Sequence, residues 1–368
     1  MALLCLGGAD VTRVTSNFSP SALQTLMAHV FSVLSSGQPS ASYTPPRISF
    51  PMDNHTALFM PARIAQGPLA TLRGTSVKVV CIPTSPADSR GLPASTLVLD
   101  DETGAIKSIL NASNLTALRN AAGSLLSTNL VGPRAPANVV AFGAGAQIES
   151  HLDLHLRAFP SIQTCTIVNR TINKRVSKLA ELLRARFPAV RISYISHDAS
   201  APPSPDPSLK GAMLAANLII CATSSTVPLF PSSWVSDGAH IVLIGSYKHS
   251  MHEIDGELIQ RALPSDASKQ SALLVDSRSA CLAEAGELIS AGIEGRQVVE
   301  IGELVSFGED GELLLDAARQ PLPVEIGSTT GPVTIFKSVG VGLQDVAIAC
   351  AVVQRAEELG LGTYVDWA

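Results

Sequence analysis

A basic excess is the first thing this sequence lacks. Lysine and arginine number 26 against 31 aspartates and glutamates, a formal net charge of -5. Such a chain offers little to the phosphate backbone that dominates nucleic-acid affinity, so nucleic acid is not an expected partner. No stretch approaches the roughly 20 apolar residues of a membrane span. The opening MALLCLGGAD has no basic residue ahead of its short apolar run, so a secretory leader is not expected either. The expectation is a cytoplasmic protein that does not engage membranes. The cysteines, Cys5, Cys81, Cys165, Cys221, Cys281 and Cys350, are scattered without C-x-x-C spacing. That suggests neither a disulfide framework nor a zinc site, and most of them read as small core residues. Aromatic residues are also scarce, at 4%, and charged residues make up 15%, whereas 46% are hydrophobic. The 368 residues therefore read as an aliphatic-rich α/β protein with enough chain for two domains.

What is present centres on NVVAFGAGAQ, Asn138–Gln147. A β-branched apolar run breaks into Gly143-Ala144-Gly145 and then opens a helical pattern over Ile148–Ala158. A strand, a glycine turn and a helix N-terminus together cradle a pyrophosphate, because glycines let backbone amides approach phosphate oxygens closely. The third glycine of G-x-G-x-x-G is replaced by Ile148.

Around this turn the pattern changes character. Apolar spacing predicts a helix over Ser19–Leu34. Strand-like runs follow at Arg47–Phe50, Thr56–Met60, Ser76–Ile82 and Ser95–Asp100, the last forming a hairpin with Ala105–Leu110 through a glycine-containing polar turn. Consecutive strands of this kind predict an antiparallel or mixed sheet. A helix over Leu115–Leu126 precedes the punctuation Gly132-Pro133-Arg134-Ala135-Pro136, which we take as a domain boundary. Beyond it strands and helices alternate: Asn138–Phe142, helix, Thr164–Asn169, helix Val176–Arg186, Arg191–Ile195, then His240–Gly245 and Leu273–Asp276. Alternation of that kind is what a parallel, doubly wound sheet requires. Ala199–Ser208, ASAPPSPDPS, reads as a proline-rich surface loop, and Gln344–Leu359 as a C-terminal helix.

The second strand of the alternating half ends at Asn169-Arg170-Thr171. An NAD site usually has an acidic residue here for the ribose hydroxyls, whereas arginine accommodates a 2′-phosphate. No carboxylate is present; Arg170 is, with Lys174 and Arg175 close behind. NADP(H) is the favoured cofactor, with NAD(H) the alternative. In the other half, Arg47, Lys78 and Arg119 stand in apolar or neutral surroundings. If they converge they form a carboxylate pocket, since guanidinium binds carboxylate with two parallel hydrogen bonds.

The segments LFMPA (58–62), SVKVV (76–80), LTALRNAAGS (115–124), AFGAGAQ (141–147), VNRT (168–171), CATSSTVPLF (221–230), GSYKHSMHEID (245–255) and FKSVGVGLQD (336–345), in this order, resemble the ornithine cyclodeaminase/mu-crystallin family. The resemblance implies a homodimer. It implies a Rossmann NADP(H)-binding domain over 133–332 and a second α+β substrate and dimerisation domain built from 1–132 with 333–368. The active site would lie in the cleft. By the same resemblance Arg47, Lys78 and Arg119 match substrate-carboxylate and catalytic residues, and Met60 an apolar substrate contact. Gly143, Gly145, Ala146 and Gln147 match the pyrophosphate turn, and Asn169, Arg170 and Thr171 the adenosine-ribose end. Thr223 and Ser224 follow the fourth strand, and Lys337, Ser338, Val339 and Gly340 match the loop near the nicotinamide.

One departure bears on the chemistry. Cyclodeaminase-type members have an acidic residue where this chain has Tyr247, and a carboxylate there would hold a side-chain ammonium and shuttle protons. Reduction of an α-imino acid asks for less: the carboxylate clamped, the imine protonated, the electrophilic carbon set against the nicotinamide. Arg47 and Arg119 suit the clamp, and Lys78 shares it or supplies the proton. The expected activity is an NADPH-dependent reductase of a small imino acid, the alternatives being an ornithine cyclodeaminase-type deaminating enzyme and a non-catalytic NADPH- and ligand-binding protein of the mu-crystallin type. His151 and His155 in HLDLH have metal-ligand spacing but lack a zinc-protease glutamate, so no metal is expected and they are read as covering the helix surface. His249 and His252 flank Tyr247 and are candidates for acid or base work or for a plain loop role. Glu284 and Glu287 in AEAGEL match a recurrent family segment without an assigned chemical role.

Overall fold

The computed structural model describes residues 2–38, 40–65, 72–85, 91–201, 207–264, 271–315 and 329–367. The chain divides into two compact units, Met1–Arg119 with Phe307–Leu313 and Gly340–Ala368, and Asn120–Ser306 with Leu314–Val339. The first division falls inside the helix Leu115–Val131 and the second after Val339, where the sequence suggested 132 and 333. The later half of that helix belongs with the second unit because its hydroxyls bond to that unit's histidines: Ser124 to His151, Ser127 to His240 and Thr128 to His155.

The first unit is built on a mixed sheet in the order Thr363–Asp366, Ala2–Leu6, Ile106–Asn111, Ala94–Leu99, Gly74–Pro83, His55–Ile64, Ser42–Tyr43, with Ile48–Pro51 also paired to His55–Ile64. Only Ala2–Leu6 and Ile106–Asn111 run parallel; the other pairs are antiparallel. The hairpin is as expected, closed by Asp100 N–H donating to the Ala105 carbonyl across a turn with Gly104 at φ 72. Alternation of buried and half-buried residues along Gly74–Pro83 gives the sheet two faces. One is packed by the helix Gly342–Leu359, whose Val346 and Cys350 meet the position a Cβ on Gly74 would occupy. The helix Pro20–Ser35 starts where Ser19 accepts the Ala22 N–H at 3.0 Å and proline takes the first helical position. His29 stacks on Phe307 at 4.0 Å and contacts the Gly311 carbonyl at 3.1 Å, fastening the excursion Phe307–Leu313 to this helix.

The second unit has the doubly wound parallel sheet that the alternation predicts. Its order is Arg191–Ser196, Thr164–Asn169, Asn138–Phe142, Leu218–Cys221, His240–Leu243, Thr334–Lys337, Leu273–Val275, Val299–Glu300, all parallel. The order reverses between Asn138–Phe142 and Leu218–Cys221, the topological switch point at whose carboxyl edge open α/β sheets bind ligands. Strand residues such as Val140, Phe142, Ile219, Ile241 and Ile335 are buried in one apolar cluster, as strands covered on both faces require. Within the proline-rich stretch 199–208, residues 202–206 lie outside the described residues, and Pro207 already opens a helix that runs to Ala215. Among the described residues no helix is long and apolar enough to cross a membrane.

Candidate active site

The first unit, taken by itself, holds a buried ionic cluster. Lys78 projects from Gly74–Pro83, paired with Met60 on one neighbouring strand and Thr96 on the other. Its Nζ lies 2.7 Å from Asp345 Oδ2 and 3.5 Å from the Thr116 hydroxyl. Arg119 meets the same carboxylate, its Nε 3.3 Å from Asp345 Oδ1, and its Nη1 donates to Gln344 Oε1 at 2.7 Å. Lys78, Arg119 and Asp345 are each 3% exposed. Asp345 sits in the first turn of Gly342–Leu359, where the helix dipole favours a negative charge. Gln344 also accepts the Val341 N–H at 3.2 Å, so the turn holding Arg119 is itself fastened. Gly340, at φ 82, lies flat against the guanidinium: a Cβ there would be 2.6 Å from Arg119 Nη1.

Burial lowers the Lys78 pKa below that of an ordinary lysine; Asp345 pulls it back up, while Arg119 and Arg47 add to the lowering. Arg47, half-buried, is therefore within electrostatic reach of the cluster. Burial also pushes the Asp345 carboxyl up, but Lys78 and Arg119 outweigh it and leave the group below the usual aspartate range. Two cations on one carboxylate leave a net charge of +1, which complements a monoanion.

The second unit, taken by itself, carries a nucleotide-shaped edge. Gly143 has φ 113, and a Cβ on it would lie 2.9 Å from the Ala222 carbonyl and 3.2 Å from Ile148, so only glycine fits. Gly145 caps the helix Ala146–Ala158 with extended backbone and no side-chain cap, and a Cβ there would meet nothing within 4 Å. Ala146 is exposed, and Gln147 has a buried Oε1 without a hydrogen-bond partner. A helix N-terminus with uncapped amides and open space fits a dinucleotide pyrophosphate. Ile148, in place of the third glycine, is fully buried. Asn169 donates to the Thr171 carbonyl at 2.8 Å and Ser196 to that of Arg170 at 3.1 Å, so the backbone of this loop is held while the side chains of Arg170 and Thr171 are exposed. Thr223 is half-buried and Ser224 exposed beyond Leu218–Cys221. Ser338 is buried, its hydroxyl donating to Asp276 Oδ2 at 2.6 Å, and Val339 is half-buried beside it.

Several residues carry structure that sequence reading left unassigned. Asp345 and Gln344 lie in the motif GLQD yet had no role; a carboxylate opening the apolar helix LQDVAIACAVV was the signal. Glu287 pairs with Lys337 at 3.2 Å with neither residue exposed. A Cβ on Gly286 would collide with carbonyls of 248–251, which explains the glycine of AEAGEL. His249 donates from Nε2 to the Ala283 carbonyl at 2.8 Å, and His252 Nε2 contacts the Ser290 hydroxyl at 2.8 Å, so both tie the Tyr247 loop down. His151 and His155 do not cover the helix surface as expected; both are fully buried. Each Nδ1 donates to the carbonyl four residues back, and each Nε2 faces a hydroxyl, that of Ser124 at 2.9 Å or of Thr128 at 3.0 Å. Among the described residues no group of three or more acidic, histidine or cysteine side chains is placed to hold a metal.

A parallel doubly wound sheet with a glycine turn at its switch point defines a dinucleotide-binding type of α/β protein. The chain belongs to the ornithine cyclodeaminase/mu-crystallin family, whose model matches residues 9–306. It is similar to the ketimine reductase mu-crystallin of Macropus fuliginosus, 29% identical over 78% of this chain and 83% of that protein. It is also similar to a Delta(1)-pyrroline-2-carboxylate reductase of Bacillus cereus, 26% identical over 88% of this chain and 89% of the relative. The same fold occurs in the Thermococcus litoralis Delta(1)-pyrroline-2-carboxylate reductase solved with NADH and L-proline, with a TM-score of 0.77 at 22% identity, covering 99% of this chain and 100% of that one.

Proposed function

We propose that the protein is an oxidoreductase acting on C=N bonds, an NADPH-dependent reductase of a small cyclic or linear α-imino acid. The observation that carries this reading is the buried Lys78–Asp345–Arg119 cluster with its net charge of +1. The names of the Macropus and Bacillus relatives support it. Arg119, with Arg47, binds the substrate carboxylate, and Met60, opposite Lys78 across the strand pair, offers an apolar wall. Lys78 is the proton donor for the imine nitrogen: burial brings its ammonium nearer to neutrality, while Asp345 keeps it charged and aimed. Asp345 is a positioning residue, and Gln344 does the same for Arg119.

The cofactor reading rests on the Gly143–Gln147 turn for the pyrophosphate and on Arg170 for a 2′-phosphate. When bound, NADPH supplies the hydride, and that chemistry belongs to the cofactor. Thr223, Ser224 and the 337–340 segment serve its nicotinamide end. Tyr247, in place of a carboxylate, favours reduction over cyclodeamination.

A homodimer is part of the same reading. On the sheet face opposite Lys78, Ile48 and Phe50 are exposed at 62% and 48%, beside half-buried Phe59, Val77, Val79 and Leu97. A second copy of that face is the partner we assign to it. The activity is tested by following NADPH oxidation across a panel including Δ1-pyrroline-2-carboxylate and Δ1-piperideine-2-carboxylate. No oxidation on any member sinks the proposal, and ornithine turnover with ammonia release and no net nicotinamide change replaces it with a cyclodeaminase.

A further inference from the structure

Glu253 is a fully buried carboxylate with no role in the site described so far. Its Oε1 accepts the Thr223 N–H at 2.7 Å and the Thr223 hydroxyl at 3.0 Å, and its Oε2 accepts the Gly245 N–H at 2.7 Å. Thr223 and Gly245 each lie just past the carboxyl end of a strand, Leu218–Cys221 and His240–Leu243, which are parallel neighbours. One side chain therefore staples two adjacent strand ends together. The backbones are so close that a Cβ on Gly245 would collide with the Thr223 carbonyl oxygen. The loop carrying Thr223 also borders the switch point, since the Ala222 carbonyl is the atom that a Cβ on Gly143 would meet.

The hydrogen-bond arithmetic is specific. Three donors converge on two oxygens, which an ionised carboxylate satisfies because it accepts only. Glutamine at this position would turn an amide donor against one of the N–H groups or the hydroxyl. The Thr223 proton is committed to Glu253, and the Ser225 N–H points at the Thr223 oxygen at 3.3 Å. What Thr223 can still offer is an acceptor of fixed direction.

We propose that Glu253 is a positioning residue for the dinucleotide, fixing Thr223 and the Gly245 turn in binding geometry without touching the cofactor itself. The inference rests on the reading that this unit binds NADPH. It assigns a function to the glutamate of the HEID segment and to the three hydrogen bonds it accepts in the middle of a core.

Calorimetric titration of NADPH into the full-length protein tests it. Glu253→Gln is expected to raise the NADPH Kd about tenfold or more, the loss of a hydrogen bond to a charged group. The KM of the imino acid stays unchanged, a split that general destabilisation does not produce. Thr223→Val, which removes only the hydroxyl, weakens NADPH in the same direction, and Thr223→Ser restores it. The double variant Glu253→Gln/Thr223→Val binds no worse than the weaker single, because both cut the same staple. NADPH binding by Glu253→Gln as tight as that of the unaltered protein, or fully additive losses, overturns the inference alone. Where Glu253→Gln does not fold, Thr223→Val and Thr223→Ser decide the matter, and equal binding by both overturns it. Failure of the unaltered protein to bind NADPH overturns the cofactor reading and this inference with it.

Discussion

Lys78 Nζ and Asp345 Oδ2 lie 2.7 Å apart, and each side chain is only 3% exposed. Removing one member of such a pair leaves the other charged and buried, which costs more than the pair contributes. Asp345→Asn leaves both Lys78 and Arg119 without their shared carboxylate and is expected to lower stability by about 3–5 kcal/mol. The pH dependence has a definite sign. The folded-state pKa of Asp345 is depressed, so its contribution is present above the ordinary aspartate pKa and is lost as pH falls through the folded value. Denaturant unfolding should give a constant gap between the unaltered protein and Asp345→Asn from neutral pH down to about pH 4, narrowing below it. A gap that opens on acidification contradicts this.

The buried histidines act in a higher pH range. Burial pulls His151 down to about 3, with His155 adding, and His155 down to about 4. Both are neutral in the folded chain at neutral pH, while in the unfolded chain they take up protons below about pH 6.5. Stability is therefore full above that pH and falls on acidification, by about 2.7 kcal/mol per pH unit for two protons while both folded forms stay neutral. Unfolding free energies measured between pH 7 and pH 5 should fall in this direction, and His155→Gln should make the fall shallower. An unchanged slope in the variant refutes the assignment.

How much of this was legible beforehand differs between the units. Asn138–Phe142 and Thr164–Asn169 are the strands their residues predict, because β-branched runs bounded by glycine or polar turns specify both type and limits. Ala2–Leu6 was not read as a strand, since ALLCL carries no period; its identity comes from pairing with Ile106–Asn111 and Thr363–Asp366, distant in the chain. Likewise Thr334–Lys337 is not among the strands that the alternation predicts, yet it enters the parallel sheet between His240–Leu243 and Leu273–Val275. In the site, Lys78 and Arg119 were suspicious as lone cations in apolar runs. Their shared carboxylate was not, because a charge pair across three elements leaves no spacing signal. His151 and His155 show the same limit, since helical spacing cannot reveal hydroxyl partners on a neighbouring helix.

Gly340 provides a test of the carboxylate clamp. Alanine at φ 82 carries backbone strain of about 1–2 kcal/mol, and its Cβ would press on the Arg119 guanidinium. Gly340→Ala should raise the KM for the imino acid about tenfold or more by displacing that group. NADPH affinity, read separately by titration, should fall by less than this, because Gly340 closes the 337–340 segment but its Cβ would point at Arg119. Loss confined to NADPH would place Gly340 on the cofactor side alone.

Arg170 distinguishes the two nicotinamide cofactors. Its side chain is exposed after the second strand of the parallel sheet, and its backbone is held by Ser196, so substitution removes a charge without disturbing a core. Arg170→Ser is expected to weaken NADPH about tenfold, the worth of a charge-assisted contact to phosphate. NADH binding should hardly move. Equal losses for both dinucleotides would show that Arg170 does not read the 2′-phosphate.

Ile48 tests the assembly. It pairs with Phe59 across the strand ladder, and Phe50 stacks on the same ring at 5.3 Å, so the exposed face is ordered before any partner arrives. Exposed apolar side chains on a sheet gain from burial about 25 cal/mol for each Å² covered, and a carboxylate there must instead be desolvated. Ile48→Glu faces solvent in a monomer and should leave folding intact, so a fall in mass from dimer to monomer by light scattering, with an unchanged circular dichroism spectrum, is the expected result. A dimer that persists in Ile48→Glu moves the interface to another surface.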